Sequence, residues 1–238
     1  MSSSSSSSKN TPGKNANING SKFETIVYKI LEHKIRKNYQ LDEVSRNDNG
    51  IIQYCHLLKD GKIYCIYSSQ SKFNNKFLKS RNLDPNKIYH QKEPDGFFYY
   101  PESNSSFVLE IKSQKSDGSV SEKPGAAPYF VFQYEKILQN LNCDVKMFWC
   151  LDEFFNTPEF ENCTSEWLSI HNIGYYIGTN FPLEMVGIEE PIKSSKEEID
   201  KIINECNDKF NEDQQEVIEK NKKKKLQIEK DCDGLSLF

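Results

Sequence analysis

The sequence predicts an α/β layer fold, a central mixed β-sheet flanked by helices, with a charged helical extension at its C-terminal end. Three observations lead there. Runs with strand character and runs with helical period alternate along most of the chain instead of segregating. The 238 residues include 15 Phe and 12 Tyr, so large rings can fill a core although only 36% of residues are apolar. From Ser194 onward the apolar positions thin to Ile199, Ile202, Ile203, Cys206, Phe210, Val217 and Ile218 among Lys, Glu, Asp and Asn, the pattern of a charged helix or helix pair with one narrow packed face.

Taken in order, Met1 to Asn19 is rich in Ser and Asn and has almost nothing to bury, which reads as a disordered leader. The folded domain is then 20–192 and the extension 193–238. Ser21 is placed to cap a helix in which Phe23, Ile26, Val27, Ile30, Leu31 and Ile35 form one stripe, with Glu24, Tyr28 and His33 off it. Asp42 to Gly50 reads as a loop, and Ile51 to Leu58 and Lys62 to Tyr67 as a hairpin turned by Lys59-Asp60-Gly61. Ser71 to Arg81 is a short helix that stops before Asn82-Leu83-Asp84-Pro85. Lys87 to His90, Gly96 to Tyr100 and Phe107 to Ser113 are strand-like, the last two joined by a Pro101 to Ser106 hairpin loop. A loop from Asp117 to Pro128 precedes a helix over Phe132 to Leu141 and a strand over Asp144 to Leu151; a helix ending at Trp167 to Ile170, a strand over Gly174 to Gly178 and a loop from Phe181 follow.

Composition excludes several classes. The formal charge is −4, from 31 Lys plus Arg against 35 Asp plus Glu, which rules out a non-specific nucleic-acid coat and leaves only a local cleft for DNA. Base-reading Arg forks have just Arg36, Arg46 and Arg81 to draw on. The 7 cysteines show no C-x-x-C pair, and His33, His56, His90 and His171 no ligand spacing, so neither a zinc ribbon nor a disulfide framework is expected, only core thiols in a reducing compartment. No apolar run approaches the ~20 residues of a membrane span, and the polar start lacks a signal-peptide core. The expected location is the cytoplasm, or the nucleus in a eukaryotic host.

Chemistry concentrates in Glu93-Pro94-Asp95-Gly96 and Phe107 to Gln114. Strand alternation puts Phe107, Leu109 and Ile111 on one face and Val108, Glu110, Lys112 and Gln114 on the other. With the Pro101 to Ser106 loop closing a hairpin, Asp95 falls roughly opposite Lys112 and diagonal to Glu110. Two carboxylates brought together repel unless a cation joins them, and a Mg²⁺ ion, with Mn²⁺ as a substitute, would take Asp95, Glu110 and the Ile111 carbonyl as hard oxygen ligands. Such an ion polarises a phosphate and acidifies water, while Lys112 stays charged and steadies the water or the phosphate. The residues also allow Asp95 as an ordinary turn aspartate, Glu110 and Lys112 as a surface ion pair, and Gln114 as either a substrate-orienting or a solvent-facing group.

Pro94-Asp95, a spacer and Glu110-Ile111-Lys112 resemble the PD-(D/E)XK motif of restriction-endonuclease-like nucleases. The resemblance extends over Ile88 to Gly96, Gly118-Ser119-Val120-Ser121-Glu122-Lys123, Gln133-Tyr134-Glu135-Lys136, Trp149 to Phe155 and Gly174 to Leu183, a set similar to type II restriction enzymes. It implies a restriction-endonuclease-like core and a metal-dependent endonuclease that cuts double-stranded DNA at a specific site. Asp95, Glu110 and Lys112 would be catalytic and Glu24 the auxiliary acid that many members place on the first helix. A palindromic site implies a homodimer, and a restriction role a companion DNA methyltransferase. The alternatives are a junction or mismatch nuclease of the same fold and a non-catalytic DNA-binding relative.

Overall fold

Among the described residues seven strands join one sheet in sequence order, and the direction of pairing changes once along it. The structure, a computed structural model, describes the backbone of residues 12–87, 93–114 and 123–235 and the side chains of 22–86, 93–114 and 123–221. Strands β1 (Gln40–Arg46), β2 (Ile52–Lys59), β3 (Lys62–Ser68), β4 (Gly96–Tyr100) and β5 (Ser105–Lys112) form an antiparallel meander. β6 (Asp144–Leu151) then pairs parallel to β5, and β7 (Gly174–Ile177) parallel to β6. Parallel neighbours need crossovers, and these carry the helices α2 (Ala127–Leu138) and α3 (Ser165–Ile170). The expected mixed sheet flanked by helices is therefore present.

Both faces of the sheet are covered. On one, Phe23, Val27, Leu31 and Ile35 of α1 (Pro12–Asn38) pack on Leu57, Phe98, Leu109 and Ile111. Phe181, Leu183, Val186 and Ile188 join that cluster, and the Lys34 ammonium and the Tyr39, Tyr64 and Tyr100 hydroxyls tie down their segment by donating to Phe181 O, Glu189 O, Gly187 O and Val186 O. On the other face Tyr134, Ile137 and Leu138 of α2 and Phe73, Phe77 and Leu78 pack on Phe97, Val108 and Trp149. The predicted alternation along β5 holds, yet the Val108 and Glu110 face is also interior, with Val108 0% and Glu110 3% exposed. A sheet buried on both faces explains why its strands read as nearly continuous apolar runs.

Several boundaries differ from the sequence reading. α1 begins at Pro12, ahead of the Ser21 cap and inside the segment read as leader; residues 1–11 lie outside the described ones. Gln40–Arg46 is an edge strand where the Asp42 to Gly50 loop was expected, because its exposed residues carry no apolar alternation. The helix expected over Ser71 to Arg81 is π-helical from Phe73 to Leu78. Lys87 ends a 3₁₀ turn and does not open a strand; 88–92 and 115–122, and with them most of the Ile88 to Gly96 and Gly118 to Lys123 segments, lie outside the described residues. α2 starts at Ala127, earlier than Phe132, and ends in a 3₁₀ turn at Gln139–Leu141. Cys55, Cys65 and Cys150 are buried free thiols as expected, but Cys163 is exposed.

The chain divides into two units at Ser194 and Ser195. Among the described residues the second contains a single helix, α4 (Lys196–Leu235), at whose start Ser195 forms a capping box with Glu198 through reciprocal bonds of 3.2 and 2.7 Å. Among the described residues no helix is long and apolar enough to cross a membrane.

Candidate functional site

The C-terminal end of β5 and the residue before β4 bring Asp95, Glu110 and Lys112 together. In the β4–β5 hairpin Gly96 pairs with Leu109 and Tyr100 with Ser105, so the register carried one residue further sets Asp95 level with Glu110. The sequence reading placed it opposite Lys112; Ser105 and Ser106 belong to the strand and shorten the turn, which moves the register by two residues. The Asp95 carboxylate turns along the strand, and Oδ2 accepts from the Ile111 N–H at 2.7 Å and from Lys112 Nζ at 2.9 Å. Lys112 Nζ also donates to Ile111 O at 2.8 Å and lies 3.5 Å from Glu110 Oε2. One ammonium is thus surrounded by two carboxylates and a carbonyl.

Burial alone would lower the pKa of this ammonium, but Asp95 and Glu110 outweigh it and hold Lys112 above its ordinary value. Glu24, on the first helix, belongs to the same electrostatic group. Burial first and the Asp95 charge second, with a smaller push from Glu110 and against the pull of Lys112, raise its carboxyl to about 7. Such a group can take up or deliver a proton near neutrality. Gln114 follows the end of β5; the hydrogen bond described for it runs from its N–H to Asp152 Oδ2 at 2.9 Å.

Four further residues shape the site and escaped the sequence reading as site residues. Tyr28, expected off the packed stripe of its helix, is buried and donates to Asp95 O at 2.9 Å. The Tyr134 hydroxyl donates to Glu110 Oε1 at 3.3 Å. Burial, with the neighbouring carboxylates, drives both phenols well above their ordinary pKa, so each is a neutral donor. Asn74, on the π-helical turn, donates to Glu93 Oε1 at 3.2 Å, and Asp152 accepts from Ser113 Oγ at 2.5 Å. The signal for these contacts lies in tertiary approach, although the sequence marks the Gln133-Tyr134 pair and Asp152, within Trp149 to Phe155, as parts of segments without assigning either a role.

Among the described residues no group of three His, Cys, Asp or Glu side chains forms a ready cation cage. The donors at hand are Asp95, Glu110 and the Ile111 carbonyl, hard oxygens already gathered on a positive charge. That chemistry suits a hard divalent ion such as Mg²⁺.

No protein-family model matches the chain, and no curated protein matches it. Among solved structures, an XisH family protein from Nostoc punctiforme is similar at 12% identity and a TM-score of 0.30, over 66% of this chain and 89% of that one. The MunI restriction endonuclease, in complex with cognate DNA, is similar at 13% identity and a TM-score of 0.33, over 62% of this chain and 83% of that one. These are weak, low-identity similarities of fold and carry no functional weight.

Proposed function

We propose that this protein is a divalent-cation-dependent endonuclease that hydrolyses phosphodiester bonds of double-stranded DNA at a specific site, as type II restriction enzymes do. One observation carries the reading: Asp95 Oδ2, Ile111 O and Glu110 Oε2 lie 2.9, 2.8 and 3.5 Å from a single cationic centre, Lys112 Nζ. Asp95, Glu110 and the Ile111 carbonyl would hold Mg²⁺ or Mn²⁺, with the ammonium moved aside. The bound ion supplies charge stabilisation at the phosphate and a more acidic water. Lys112, kept protonated by its neighbours, offsets charge on the phosphoryl oxygens and orients the attacking water. Glu24 is an auxiliary acid whose carboxyl exchanges its proton near neutrality, and Gln114 orients substrate from the end of the strand. A two-fold homodimer would cut both strands of a palindrome, and a companion methyltransferase would protect the host's own sites.

The test is digestion of a varied duplex library with Mg²⁺, read by end mapping, for wild type and Lys112→Ala. Defined ends are expected from wild type, with a loss of about a hundredfold or more in the variant. Intact DNA in both Mg²⁺ and Mn²⁺, or equal cutting by the two proteins, overturns the proposal. Cutting of branched DNA with no sequence preference would instead identify a junction or mismatch nuclease.

A further inference from the structure

Glu110 is the most enclosed acid of the site, and its two oxygens face different neighbours. Oε2 lies 3.5 Å from Lys112 Nζ, whereas Oε1 accepts from the Tyr134 hydroxyl at 3.3 Å. Tyr134 comes from α2, which crosses over the sheet between β5 and β6, and it is 0% exposed. Its ring does a separable job: it meets Phe73 edge-on, centroids 6.0 Å apart at 78°, inside the α2 side of the core. A phenylalanine would fill the same volume, so the packing needs the ring, and among the described residues only Glu110 uses the oxygen. A carboxylate free to rotate would divide its time between orientations; one held at Oε1 keeps Oε2 turned toward the cation position.

Resting on the cation-dependent reading above, we propose that Tyr134 is a positioning residue: its buried hydroxyl fixes the Glu110 carboxylate so that Oε2 is presented to the divalent ion. Side chains that orient a metal ligand in this way typically change affinity by about 10- to 100-fold when removed. The hydroxyl acts only through Glu110, so its loss has no further effect once Glu110 has ceased to bind the ion.

The experiment is Mn²⁺ binding by calorimetry to full-length wild type, Tyr134→Phe, Glu110→Gln and the double variant, with thermal unfolding of each as a folding control. Tyr134→Phe is expected to weaken Mn²⁺ binding by about tenfold or more, while the double variant binds no worse than Glu110→Gln alone. Mn²⁺ affinity unchanged in Tyr134→Phe, or effects that multiply in the double variant, overturns the proposal. Should the phenylalanine variant not fold, Tyr134→Met, which fills the space with a flexible side chain and also lacks the donor, takes its place with the same expected loss. Wild type that binds no Mn²⁺ overturns both this role and the cation-dependent reading. Wild type that binds Mn²⁺ without cutting DNA overturns the nuclease reading alone, and the affinities still decide the role of Tyr134.

Discussion

The carboxyl of Glu24 keeps its proton up to about pH 7, well above its ordinary 4.5, because burial and the Asp95 and Glu110 charges oppose ionisation. The unfolded chain gives that proton up near 4.5. Below 4.5 both states are protonated and Glu24 has no effect on stability; from 4.5 to about 7 the unfolded state sheds a proton that the folded state retains, so rising pH weakens the fold. Above about 7 the penalty is complete. Glu24→Gln removes a titration without removing the shape. In metal-free buffer its melting temperature relative to wild type should therefore climb between pH 4.5 and 7 and then level off; a difference independent of pH would contradict this. At the same scale, Asp95, Glu110 and Lys112 could be read from alternation and a hairpin, because neighbouring strand positions are local geometry. Tyr28 and Tyr134 could not. In sequence Tyr28 lies off the apolar stripe of its helix and Tyr134 sits in a segment with no assigned role, and each hydroxyl gains a meaning only when its helix docks against Asp95 or Glu110.

Between elements, the ends of β5 and β6 are joined by Asp152. Its N–H donates to Lys112 O at 3.1 Å, and its carboxylate accepts from Ser113 Oγ, the Gln114 N–H and the Phe154 N–H. One side chain thereby caps the 3₁₀ turn Glu153–Phe155 and fixes the chain leaving the candidate site. Asp152→Ala should cost about 1–2 kcal/mol in denaturant unfolding and speed amide exchange at Gln114 and Phe154, whereas unchanged stability would mean that water replaces the cap. Long buried strands such as β6 were legible because their apolar runs are dense. β1 was not, since an exposed edge strand with a positive φ at Glu43 needs no apolar face. The π-helical turn was equally hidden, as Phe73, Phe77 and Leu78 fit an ordinary helical stripe.

Across the molecule, the described residues of both core clusters run from Phe23 to Ile188. Alternating helix and strand runs made that layered core legible. The chain shortened to residues 1–194 should unfold in one cooperative transition with a melting temperature near that of the full protein; loss of cooperativity would show that the helical unit completes the core.

The short turn between β4 and β5 also bears on the order in which the molecule assembles. Asp95 and Lys112 are 17 residues apart and meet by closing one hairpin, whereas Tyr28 lies 67 residues from its Asp95 partner and cannot arrive until the first helix docks. Loop closure is easier over short separations. The ammonium can therefore offset part of the carboxylate charge while water still surrounds the group, and the helices later enclose two acids that already share a cation in place of two bare acids.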